Sequence, residues 1–216
     1  MVVVDALREQ IRGEVFTADE VGYDESRAVY NAMHDRQPGV VVQVVDEADV
    51  IAAVRFAREN DLELAVRGGG HSVPGYGTCD DGLALDLGRI RWVRVDPASR
   101  TARVGGGAVL GDMDHATHAF GLATPAGFNS TTGIGGLTLG GGVGAYLSRK
   151  HGLTCDNLVA ADVVTADGER VTASANENDD LFWALRGRRQ LWDRRLLRVP
   201  AAPAPALGRG PDLLRA

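Results

Sequence analysis

The 216-residue chain is short of three things, and each shortage excludes a class of protein. It has only two cysteines, Cys79 and Cys155, far apart and without Cys-x-x-Cys spacing, so neither a disulfide framework nor a thiolate zinc site is on offer. It has no basic surplus. Its 23 Lys and Arg face 29 Asp and Glu, a formal charge of −6, which leaves nothing to displace counterions from nucleic acid or to seek an acidic membrane. It also lacks long apolar runs: no window approaches the roughly 18 residues of a membrane span. Met1-Val2-Val3-Val4-Asp5 has neither the basic start nor the apolar centre of a secretory leader. The expectation is a cytoplasmic globular protein, with no nucleic-acid partner, no membrane partner and an oligomeric state the sequence does not fix. Hydrophobic residues make up 44% of the chain, enough for a substantial core.

Glycine is abundant, and its placement organises the chain. The apolar run Leu62 to Val66 reads as a buried strand, and it empties into Arg67-Gly68-Gly69-Gly70-His71-Ser72. Three consecutive glycines remove every Cβ from the turn, so that backbone N–H groups can converge on one point. Such a nest suits an anion, with Arg67 and the Ser72 hydroxyl as added donors and His71 as the nucleophilic side chain beside it.

Before the nest, residues 1 to 34 read as an entry arm with a short amphipathic stretch, Ala6 to Ile11. Val40 to Val45 is a β-branched run. Asp46 and Asp49 then open a helical pattern at Val50, Ile51, Ala53, Val54 and Ala57. Strand, helix and the strand at 62 to 66 form a βαβ unit, predicting a parallel pair with the nest at the carboxyl end of its second strand.

After the nest come short strands: Leu83 to Leu87, then Trp92 to Val95 and Thr101 to Val104 as a hairpin across Asp96-Pro97-Ala98-Ser99. A helix is expected from Ala108 to Phe120, stopped by Gly121. His115 and His118 lie at i and i+3 on it, but no third ligand stands nearby, so they read as surface histidines and not a metal pair. Residues 123 to 144 hold a second glycine concentration, read as a loop shaped to let something flat lie against backbone, with hydroxyls at Thr131, Thr132 and Thr138. Leu158 to Thr165 and Arg170 to Ala173 form a hairpin through Asp167-Gly168, and Asp179-Asp180 caps a helix over 181 to 186.

Several long motifs stand in order: Arg67 to Ser72, Gly121-Leu122-Ala123-Thr124-Pro125-Ala126-Gly127, Gly133 to Gly142, His151 to Leu158, and Asp180 to Gly187. Together they resemble the FAD-linked oxidases of the vanillyl-alcohol oxidase superfamily, in the berberine-bridge-enzyme-like branch and its bacterial relatives of the 6-hydroxy-D-nicotine oxidase type. The resemblance implies an α+β, PCMH-type FAD-binding domain over residues 35–187, in two subdomains: a small βαβ-containing part, then an antiparallel sheet with flanking helices. It implies FAD attached through His71 to its 8α carbon, or held there by a hydrogen bond alone. Gly68, Gly69, Gly70 and Ser72, beside Arg67, would cradle the pyrophosphate. Thr132, Gly135, Gly136 and Gly142 would lie along the ribityl and ring parts, and Val163 would present backbone to the adenine. It further implies oxidation of a small alcohol, sugar or amine by hydride transfer.

Two positions depart from the pattern. Doubly linked members carry a cysteine where Asn129 stands, so single attachment is implied; and an active-site tyrosine found in some members is replaced by Val73. The stretch 188–216 departs entirely, being Arg- and Pro-rich without strand or helix period. Codons can be chosen for Arg188 to Pro203 that, read one register over, give Gly-Gly-Asn-Phe-Gly-Thr-Val-Val-Ser-Phe-Glu-Phe-Arg-Leu-His-Pro, the continuation the family leads one to expect. The tail therefore reads as a frameshifted, disordered segment. On that reading the family's substrate-binding domain is absent, and the alternative to a working FAD domain is an inactive remnant that binds FAD weakly or not at all. A nicotinamide-dependent Rossmann domain is a poor fit, because it needs Gly-x-Gly-x-x-Gly directly between strand and helix.

Overall fold

The computed structural model describes residues 4–187, 202–204 and 208–209. Its first part comprises α1 (Asp5–Arg8), β1 (Glu14–Phe16), α2 (Tyr23–Arg27), β2 (Val40–Gln43), α3 (Glu47–Glu59), β3 (Leu64–Arg67) and β4 (Leu83–Asp86). The sheet order is β1-β2-β4-β3, with β2, β4 and β3 parallel and β1 antiparallel to β2. The βαβ unit forms as expected, but its strands do not touch. β4 lies between them, because Leu83, Ala84 and Leu85 are buried and take the central place in the sheet. Within the expected entry arm, β1 pairs with β2, and Leu7 is wholly buried in the core under α3.

Helix α3 starts at Asp46, whose carboxylate accepts a hydrogen bond from Asp49 N, and it turns Val50, Ala53, Val54 and Ala57 onto the sheet. Asp49 is fully buried, and its two oxygens accept from the backbone N–H groups of Arg12 (2.8 Å), Gly13 (3.1 Å) and Val45 (3.0 Å). This carboxylate joins the entry to β1, the exit from β2 and the helix. Asp49→Ala strands those donors at roughly 1–3 kcal/mol each when they stay dry. The expected result is a lower denaturant midpoint with an unchanged slope.

The second part comprises the hairpin β5 (Val93–Asp96) and β6 (Thr101–Val104), α4 (Leu110–His118), β7 (Leu122–Ala123), α5 (Ile134–Leu139), α6 (Ser148–His151), a 3-10 turn (Cys155–Asn157), the hairpin β8 (Ala160–Val164) and β9 (Arg170–Ser174), and α7 (Asp179–Leu185). Helix α4 ends before Gly121, whose φ of +63° is the left-handed conformation a C-terminal glycine supplies. α7 is entered through Asn178 at φ +49°, and Asp179 and Asp180 lie in its first turn instead of capping it. The second glycine stretch is not all loop. Ile134 buries against Ala108, Leu110 and Met113, and this burial holds α5 despite its glycines.

The two parts are joined through α3. Arg55 donates to Gly168 O, Arg58 pairs with Asp167, Arg170 reaches Glu47 at 2.7 Å, and Val164 enters the first core. Most of the expected irregular tail lies outside the described residues. Its described pieces, β10 (Ala202–Ala204) and β11 (Gly208–Arg209), pair antiparallel with β6 and β7. That departs from the expectation of no strand there, and it uses edges that β6 and β7 leave open.

Candidate cofactor site

The parallel strand β3 delivers Gly68–Gly70 at its carboxyl end, and the loop leading into α5 comes down onto it. The two glycine stretches cross backbone on backbone. A Cβ on Gly69 would sit 2.3 Å from Gly133 N, and one on Gly133 would sit 2.4 Å from Gly69 N. Neither position tolerates a side chain. Gly70 at φ +72° and Gly142 at φ +74° adopt the left-handed conformation, and a Cβ on Gly142 would also overlap Thr154 Oγ1 at 2.2 Å. The crossing leaves a cavity of about 300 Å³, walled by both glycine stretches, Val66, Pro74, Thr132 and Leu137.

His71 stands at the rim of this cavity. Its Nε2 lies 2.8 Å from Thr131 Oγ1, and its ring stacks on Tyr30 with centroids 3.9 Å apart and planes 18° from parallel. Burial pushes its pKa below the ordinary imidazole value, so at neutral pH the ring is an uncharged base with a free lone pair. Tyr30 also donates its backbone N–H to Gly70 O at 3.3 Å, and the His34 ring nitrogen meets Val73 O at 2.8 Å. Residues 26 to 34 thus clasp the histidine loop. Sequence reading missed this, because nothing in the spacing of Tyr30 links it to a residue 41 positions later.

Most of the expected site residues meet here. Arg67, Gly68, Gly69, Gly70, His71, Ser72, Thr132, Gly136 and Gly142 all line the one cavity. Gly135 is buried within α5 and lies outside that lining. Val163 lines a separate, mainly apolar cavity of about 170 Å³ with Val45, Val50, Ile90 and Trp92. Gly106 lines this second cavity, and its carbonyl oxygen lies 3.0 Å from where a Gly68 Cβ would be. The two hollows therefore approach each other at the first glycine of the nest.

Arg67 lines the cavity, and its guanidinium is also engaged by acceptors of the protein. Its guanidinium is buried, pairs with Asp86 at 2.9 Å, and donates to the carbonyls of Ala28 at 2.9 Å and Ser26. These acceptors take three of its five N–H groups and tie the clasp to the sheet. Ser72 Oγ accepts from Tyr76 N at 3.0 Å and keeps its own proton to donate.

Residues 38–174 match the FAD binding domain family. The chain belongs to that family. It is 40% identical over 177 residues to (R)-6-hydroxynicotine oxidase of Paenarthrobacter nicotinovorans, covering 82% of this chain and 38% of the relative. To the FAD-linked oxidoreductase pgmH of Aspergillus terreus it is 44% identical over 188 residues, covering 85% and 38%. Among solved structures, 6-hydroxy-D-nicotine oxidase from Arthrobacter nicotinovorans superposes with a TM-score of 0.88 at 36% identity, covering 96% of this chain and 44% of that one. Glucooligosaccharide oxidase from Acremonium strictum, described with a 6-S-cysteinyl, 8α-N1-histidyl FAD, superposes at 0.84 with 30% identity, covering 95% and 43%. This chain thus spans about two fifths of the length of these relatives.

The fold of this FAD-binding domain is the PCMH-type α+β arrangement, and the cavity fits the cofactor. Phosphates need converging N–H groups without Cβ atoms in the way, which Gly68–Gly70 supply. A flat ring needs an unobstructed floor, and a Cβ on Gly136 would meet nothing within 4 Å. Among the described residues no three His, Cys, Asp or Glu side chains gather to hold a metal ion, and no helix is long and apolar enough to cross a membrane.

Proposed function

We propose that this chain holds FAD covalently through His71, as the cofactor-bearing portion of an oxidase acting on a small alcohol, sugar or amine. One observation carries the reading: an uncharged imidazole, stacked and hydrogen-bonded, at the rim of a hollow formed where two glycine stretches cross. When bound, FAD supplies an acceptor for hydride from the substrate carbon and passes the electrons to O₂. The chain's own residues position the cofactor. His71 would be the nucleophile toward the 8α carbon, and attachment would release one hydrogen from that carbon and the imidazole N–H, two protons and two electrons that O₂ would take up as peroxide.

Exposed Phe128 and Tyr146 line a further open hollow with Gly127, Gly144 and Leu147. Apolar side chains left facing water beside the site support a covering by more protein in a chain of the relatives' length, where substrate selection would reside. A cytoplasmic location goes with this reading, supported by the free, buried thiols of Cys79 and Cys155.

To test it, the chain is incubated with FAD, freed of excess by gel filtration and precipitated with acid. Equimolar flavin in the pellet is expected. Flavin released wholly by acid removes the covalent part of the reading, and a colourless protein before acid removes all of it.

The attachment rate should also depend on pH in a defined sense. Protonation removes the His71 lone pair, and burial lowers its pKa, so the rate should level off at a lower pH than an ordinary imidazole near 6.5 would allow. Below that pKa it should fall about tenfold per pH unit. The rate of acid-stable flavin formation, followed between mildly acidic and neutral pH, checks this.

A further inference from the structure

The hydrogen bonds around Thr131 have only one consistent set of donors. Asn129 Oδ1 lies 3.1 Å from the backbone N–H of Thr131, a contact only an oxygen can accept, which fixes the orientation of the carboxamide. The same Oδ1 lies 2.9 Å from Thr131 Oγ1. A carbonyl oxygen has no proton to give, so the Thr131 hydroxyl donates to Asn129. Having used its proton there, Thr131 Oγ1 offers a lone pair to His71 Nε2 at 2.8 Å. Nε2 must then carry the imidazole proton, and the lone pair resides on Nδ1, which meets no hydrogen-bond partner among the described residues.

We propose that Asn129 and Thr131 are positioning residues, a two-step relay that fixes the Nε2–H tautomer of His71 and presents Nδ1 as the nucleophile toward the cofactor. The Tyr30 ring closes one face of the imidazole and leaves rotation in the ring plane to be set by Thr131. The proposal rests on the His71 attachment reading for its consequence, though not for the tautomer itself.

Two readouts test it. In the apoprotein labelled with ¹⁵N-histidine, the His71 resonances, assigned by comparison with His71→Asn, report which ring nitrogen is protonated. Wild type should show the Nε2–H form. Thr131→Val, nearly isosteric but unable to accept, should lower the tautomer ratio and the attachment rate about five- to tenfold, the worth of one net hydrogen bond. Thr131→Ser should restore both. Asn129→Ala frees the hydroxyl to turn its proton toward the ring, and should shift the ratio in the same direction. Because Asn129 and Thr131 are exposed, folding of both variants should match wild type in thermal melts. An unchanged ratio in Thr131→Val and Asn129→Ala overturns the relay even if flavin attaches normally. Wild type without covalent flavin but with the expected ratios overturns the attachment reading and leaves the relay standing.

Discussion

His71→Asn is expected to abolish acid-stable flavin altogether, from an equimolar amount to none, while the protein still folds and still takes up FAD reversibly. Among the described residues lining the cavity the imidazole is the basic nitrogen nucleophile, and asparagine preserves polarity and approximate size without a basic ring nitrogen. Folding should survive because His71 lies outside every core cluster and is only partly buried. Reversible binding should survive because the phosphate cradle is backbone. The check is flavin absorbance before and after acid precipitation, beside a thermal melt. A yellow acid pellet from the variant would place the attachment on another residue.

Gly69→Ala should strike the cradle itself. The added methyl would lie 2.3 Å from Gly133 N and 2.8 Å from both Gly133 Cα and Thr131 O, all backbone, so the two glycine stretches must separate. Overpacking of this kind costs about 1–3 kcal/mol, which if spent on the assembled site weakens FAD binding about 5- to 150-fold. The same displacement carries Thr131 away from His71, so attachment should slow beyond the loss in affinity. Gly136→Ala is the informative partner. Its methyl meets no protein atom, and alanine in place of glycine favours a helix by up to about 1 kcal/mol. The apoprotein should therefore hold or gain stability, whereas FAD affinity falls because the methyl projects into the cofactor's floor. Thermal melts of the apoproteins and flavin fluorescence titrations separate the two effects.

Local chemistry made much of this site legible in the sequence. A short apolar run ending in three glycines, Asp46 capping an amphipathic helix, and the Asp167-Gly168 turn each depend on neighbouring residues, and each took the expected form. What escaped depends on residues distant in the chain. The place of β4 between β2 and β3 is set by burial on both faces of the sheet, which the run Leu83 to Leu87 shares with its neighbours. Helix α5 looked like loop because glycine disfavours helix, and only the burial of Ile134 against α4 outweighs that. Arg67 looked like an anion donor because it precedes the nest. Two of its N–H groups are held by carbonyls about 40 residues earlier, which no local pattern could reveal. The stack of Tyr30 on His71 has the same origin, since the clasp that carries Tyr30 is held by Arg67.

These features depend on the crossing of the two glycine stretches beside His71, and one measurement addresses it most directly. The chain is reconstituted with FAD, precipitated with acid, digested, and its peptides are weighed and sequenced by mass spectrometry. The account predicts one FAD on the peptide containing His71, carried by that residue. An unmodified His71 peptide from protein that has turned yellow, or FAD on any other residue, would contradict it.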